Sequence, residues 1–180
     1  MPALRFPVAV VVERIALANR WVSEKWQIGV VERDDSPLPV AVKLSDDAGT
    51  TRWRFTGFRI ELHTSESEGY FLNITAPEPK IFVMWRMLEP ERIGVDGLAA
   101  RPELVTVSYN EAARLMDGGE KVDAVPLPPD VLAWMRPFVD ANYKPEPKRK
   151  VRRNELYERE DKHREGAEQT RSDAPDKVAR

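Results

Sequence analysis

The side chains able to do chemistry are few in this chain and do not converge in sequence. Histidine occurs twice, at His63 and His163. A metal site needs several ligands aimed at one point, so His63 beside Glu61 reads as a surface pair rather than a centre. Cysteine is absent, which removes disulfides, thiolate nucleophiles and Cys-ligated zinc or iron–sulfur sites. The acidic pairs Asp34-Asp35 and Asp46-Asp47 fall in expected loops. Such pairs can hold a hard cation, but in loops they are ordinary solvated turn material. Gly118-Gly119 lacks the spacing and the following Lys-Ser/Thr of a phosphate-binding loop. No nucleophile elbow or Ser/His/Asp set can be assembled. The expectation is therefore no catalytic residue, no metal and no cofactor.

Binding chemistry is better represented, in two places. The first is Arg20-Trp21-Val22-Ser23-Glu24-Lys25-Trp26. Two indoles five residues apart, with Arg20 and Ser23 between or beside them, have the composition of an interface: large apolar area with a donor at its rim. The alternative is that both rings plug the end of a sheet while Ser23 caps a helical turn. The second is the basic run Lys148, Arg149, Lys150, Arg152 and Arg153. It suits RNA, an acidic membrane surface, an acidic partner protein or an anionic, phosphate-bearing cofactor. Tyr143 and Tyr157 lie only at its flanks, and single-strand binding usually adds interleaved stacking rings, which argues against nucleic acid.

The elements that must position these residues are mostly strands. Residues 7–17 are dense in valine and apolar on both faces, a central strand; the run is too short for a membrane span or a signal segment. Residues 18–26 form a turn or short helical connection, and residues 27–33 a second strand. Residues 53–64 alternate cleanly, with Phe58, Ile60 and Leu62 opposite Arg59, Glu61 and His63. A polar loop at 65–69 then predicts a hairpin into a strand carrying Tyr70, Leu72 and Ile74. Residues 81–88 read as a central strand and 104–107 as the last. Ser108 and Glu111 have the spacing of a capping box, opening a helix over 109–117 that Gly118-Gly119 ends. Residues 126–129 read as an extended proline linker. A second helix over 129–142 carries Val131, Leu132, Met135, Phe138 and Val139 at helical spacing, with Pro137 expected to bend it.

The fold class this predicts is α+β: a mainly antiparallel sheet of about five to six strands, as a roll or small barrel, followed by two C-terminal helices. Residues 1–143 form the globular domain. Residues 144–180 carry 12 Lys+Arg against 9 Asp+Glu, leaving the first 143 residues a net −5 out of the chain's −2. With almost no apolar residues to offset ordering entropy, 144–180 is expected to be a disordered charged tail with its basic cluster at 148–153.

Three stretches resemble the bacterial family called domain of unknown function 3305. They are Pro7-Val8-Ala9-Val10-Val11-Val12-Glu13-Arg14 with Asn19 to Trp26, then Tyr109 to Glu120, then Pro126-Leu127-Pro128 through Tyr143-Lys144-Pro145-Glu146-Pro147 to the basic cluster. Members more often carry His where Asn142 stands here. The resemblance implies a cytoplasmic accessory protein whose gene accompanies molybdenum-dependent formate dehydrogenase. It assigns no catalytic residues. Some resembling sequences carry a label for molybdopterin-guanine dinucleotide biosynthesis. That chemistry would need a nucleotide-binding α/β fold with a Gly-rich opening loop, which this sequence lacks.

The reading that follows is a non-enzymatic accessory protein that holds a protein client, a formate dehydrogenase subunit, through Arg20, Trp21, Ser23 and Trp26 and the basic cluster. An enzyme of molybdenum-cofactor biosynthesis and an RNA-binding module acting through the tail are the alternatives.

Overall fold

The computed structural model describes residues 4–36 and 38–145. The valine-rich opening forms β1 (Leu4–Ala16), paired antiparallel to β2 (Glu24–Arg33) on one side and to β4 (Thr50–Leu62) on the other. β3 (Ala41–Asp47) completes this first sheet at the far edge, in the order β2-β1-β4-β3. A second sheet has the order β6-β5-β7 and is also antiparallel, from β5 (Lys80–Met87), β6 (Ala100–Thr106) and β7 (Lys121–Pro126). Helix α1 (Ser67–Ile74) links the sheets. Helix α2 (Tyr109–Asp117) joins β6 to β7, and α3 (Pro129–Asn142) follows β7.

The α+β class, the antiparallel pairing and the two later helices agree with the sequence reading. The sheet is two sheets of four and three strands, and they do not close into a barrel. Among the described residues, seven strands form rather than five or six.

The core follows from β1. Its inward row, Phe6, Val8, Val10 and Val12, is buried together with Trp26, Ile28, Trp53 and Phe55 of the same sheet. Ile81, Val83, Trp85, Val105 and Val125 of the second sheet belong to the same cluster, as do Val131, Met135 and Val139 of α3. Each such side chain stabilises the fold by about 1.5–3 kcal/mol relative to full exposure. The spacing 131, 135, 139 is one stripe of a 3.6-residue helix, as the sequence predicts. Pro137 lies inside α3 without ending it.

Three segments depart from expectation. Residues 67–74 form helix α1, not a strand. A short apolar run carries both periods, and the buried set Ser67, Gly69, Tyr70 and Asn73 lies on one side of a helix, whereas Leu72 is exposed. β3 forms over Ala41–Asp47, where the sequence reading assigns no element. β7 occupies residues 121–126 and takes in Pro126, the first residue of the expected linker.

Asn73 explains why α1 sits where it does. Its Nδ2 donates to the carbonyls of Lys80 at 2.7 Å and Val107 at 2.8 Å, and its Oδ1 accepts from Lys80 N–H at 2.9 Å. One buried amide thus ties the end of α1 to the start of β5 and to the residue after β6. Gly69 permits the approach: a Cβ there would lie 2.2 Å from Ser108 Oγ. Asn73→Ala leaves two carbonyls and one N–H without this partner. The expected loss is about 3 kcal/mol, read as a lower urea midpoint at unchanged slope.

Candidate partner-binding surface

The β1–β2 loop places Trp21 in solvent. Asn19 Oδ1 accepts from Trp21 N–H at 2.9 Å, and Leu17 N–H donates to the Ser23 carbonyl at 2.8 Å. These bonds close residues 17–23 into a loop whose tip carries the indole, 83% exposed. Val22 and Leu17 are exposed on the same loop. The Arg20 guanidinium lies 5.3 Å from the Trp21 ring centroid, a cation–π contact that orients both side chains. The β3–β4 turn lies alongside, since Ala16 N–H donates to the Gly49 carbonyl at 2.7 Å.

Trp26 does not share that surface. It lies in β2, is only 9% exposed, and stacks on Trp53 at 5.2 Å between centroids and 27° between planes. Its Nε1 donates to Glu24 at 2.9 Å. The Arg14 guanidinium lies 6.0 Å from the Trp26 ring and 5.5 Å from the Trp53 ring. The two indoles that sequence pairs are thus divided: Trp26 belongs to the core and Trp21 to the surface. Arg20 and Ser23 are exposed, and Ser23 accepts from Leu17 through its carbonyl rather than capping a helix. Lys148, Arg149, Lys150, Arg152 and Arg153 lie outside the described residues.

Other candidates resolve into structural roles. His63 is exposed, 3.8 Å from Glu61, and its backbone N–H donates to Tyr70 Oη at 3.1 Å. Among the described residues, no group of three or more His, Asp or Glu side chains is arranged to hold a metal ion. Asp34 accepts from Ser36 and pairs with Arg54, while Asp46 pairs with Lys43 and accepts from Thr51. Two adjoining clefts of about 440 Å³ each open between β4 and β6 and share Gly57, Phe58 and Glu103. Their charged walls, Arg59, Glu61, Arg101 and Glu103, are of mixed sign. No described helix is long and apolar enough to cross a membrane.

The model of the family described as a protein of unknown function, DUF3305, matches residues 7–152. The chain belongs to the DUF3305 family. All of the first two resembling stretches and the third through Arg152 lie inside the match. No curated protein and no solved structure matches the chain.

Two features of this DUF3305 protein escape a sequence reading. One is Glu66, which holds α2 in place. Its carboxylate accepts from Ser108 Oγ at 2.7 Å and from Arg114 Nη2 at 2.6 Å. Ser108 in turn caps α2 by accepting from Glu111 N–H at 3.1 Å, so the expected capping serine is real. Glu111 turns instead to Thr106 Oγ1, leaving the reciprocal half of the box unmade. These partners lie 42 and 48 residues from Glu66, so no local pattern announces them. The other feature is the stripe Leu38, Val40, Val42 and Leu44, with Leu38 68% exposed and the other three 52%. Its alternation is legible in Leu38-Pro39-Val40-Ala41-Val42-Lys43-Leu44.

Burial pushes the Glu66 carboxyl up, but the Ser108 hydroxyl and the Arg114 guanidinium outweigh it and leave the group below the ordinary glutamate value. A carboxyl lowered in the folded state contributes stability above its unfolded value, near pH 4.3. That contribution is lost as pH falls through the lowered value. Glu66→Gln is expected to cost about 1 kcal/mol at pH 7. The variant's stability also falls less steeply than the parent's from about pH 5 to pH 3, read from thermal unfolding across pH.

Proposed function

We propose that this DUF3305 protein is a non-enzymatic accessory protein that binds a protein client, a subunit of a molybdenum-dependent formate dehydrogenase, through the β1–β2 loop. The observation that carries the binding role is Trp21: an indole held at a loop tip by Asn19 and flanked by Arg20, Leu17 and Val22. An exposed Trp on a bonded loop offers large contact area at little further ordering cost, the profile of an interface anchor. The family resemblance supplies the client and the cytoplasmic setting. The basic cluster at 148–153 would add steering toward an acidic client, sensitive to salt.

Trp21→Ala tests this reading without touching the core. Thermal stability should stay within about 0.5 kcal/mol, because the ring is in solvent. Capture of formate dehydrogenase subunits by the purified chain, followed by mass spectrometry and by titration with the isolated enzyme, should weaken by about tenfold or more. Undiminished capture by the variant would remove Trp21 from the interface. Failure of the parent chain to bind the enzyme at low salt would remove the client.

A further inference from the structure

We infer that β3 is a self-complementary edge through which two copies of this chain associate, joining their four-stranded sheets across a two-fold axis at Val42. The inference is independent of the client proposed above.

β3 pairs with β4 on one side only and leaves backbone groups over on the other. Thr56 N–H donates to the Val40 carbonyl at 2.9 Å, and Val40 N–H donates to Thr56 Oγ1 at 3.1 Å. Val40 therefore turns its polar groups toward β4. The register runs Ala41 to Phe55, Val42 to Arg54 and Lys43 to Trp53. Antiparallel pairs alternate between bonded and non-bonded, so Val42 also faces β4, and the N–H and C=O of Ala41 and Lys43 face outward. Pro39 has no N–H, and the register shifts between Lys43 and Ser45. The regular free edge thus consists of Ala41 and Lys43.

Two such residues, two apart, fit their own copy. With Val42 opposite Val42 of the second copy, each Ala41 lies opposite a Lys43. The two rungs then use every outward group in four backbone hydrogen bonds. Other registers do worse. A two-fold at Ala41 brings Lys43 opposite Pro39, which cannot donate. A two-fold at Lys43 sets two ammonium groups face to face. A slip by one residue matches outward groups with inward ones.

The side chains agree with the backbone. Val40 and Val42 alternate with Ala41 and Lys43, so their exposed aliphatic groups share one face, and the Val42 axis sets Val40 against Leu44 of the other copy. Exposed edges are ordinarily guarded by charge. Here the Lys43 ammonium is drawn aside, 2.8 Å from Asp46 and 5.9 Å from the Trp53 ring. Four backbone hydrogen bonds and a few aliphatic groups make a short contact, so the dimer is expected to dissociate on dilution.

The chain has no cysteine, which makes a site-specific test clean. A non-bonded antiparallel pair sets its Cα atoms about 4.5 Å apart, within disulfide reach. Full-length V42C under mild oxidation should form a linked dimer as its main product. V40C and L44C, each facing a different residue across the axis, should link several-fold more slowly, as should V30C on β2. Sedimentation equilibrium of the cysteine-free parent, from about 5 to 500 µM, should show the mean mass rising toward twice the monomer. V42K, which opposes two cations on the axis, should stay monomeric with unchanged circular dichroism. A monomeric parent throughout that range would overturn the inference and leave the edge to a different strand. Linking of V42C no faster than V30C, or a dimer that survives V42K, would overturn it too.

Discussion

The fold depends on β1 being covered on both faces. Its inward row of Phe6, Val8, Val10 and Val12 demands an apolar cover, and its outward Ala9 and Val11 are buried as well. No single layer can satisfy that demand. The inner face is met by the second sheet and α3. The outer face is met by its own neighbours in the sheet, through a lattice of charged side chains. Glu13 accepts from Gln27 at 3.0 Å and pairs with Arg52 at 2.9 Å. Arg54 pairs with Glu32 at 2.8 Å and Asp34 at 3.1 Å. The long stems of such side chains can lie over apolar surface while their heads stay wet. The Gln27 amide, then Arg52, hold the Glu13 carboxyl below its ordinary range despite partial burial.

That division of labour sets where function can lie. The inner face is consumed by the core and the outer face by charge pairs. Loops and strand edges carry several of the exposed apolar side chains, Trp21 and Val22 on the β1–β2 loop and Val40 and Val42 along the edge strand, while Leu72, Tyr109 and Met116 are exposed on α1 and α2. Exposed aliphatic and indole surface rimmed by paired charges is the composition of an interaction surface.

Sequence made the inner strand and the two later helices legible because each writes a period into consecutive residues. Val8 to Val12 cannot be a half-wet strand, and Val131, Met135 and Val139 cannot be anything but one helical stripe. It also found the Ser108 cap, whose partner Glu111 is three residues away. It failed where the deciding contact is distant. Tyr70 to Ile74 reads as a strand until the bonds from Asn73 to Lys80 and Val107 are known. Trp21 and Trp26 read as a pair until Trp53, from another strand, claims one of them. The free groups of Ala41 and Lys43 follow from the Val40–Thr56 bonds, which no single segment contains.

The order of the strands along the chain has a consequence for synthesis. All four strands of the first sheet lie within residues 4–62, so the sheet can assemble as soon as Leu62 leaves the ribosome. Its inner face then displays Val8, Val10, Val12 and Trp53 with nothing from the second half of the chain to cover them. Val139, the last residue of the α3 stripe, emerges several seconds later at about 5–20 residues per second. For that interval the nascent chain is an open apolar sheet with free edges, the form most exposed to aggregation and to chaperones.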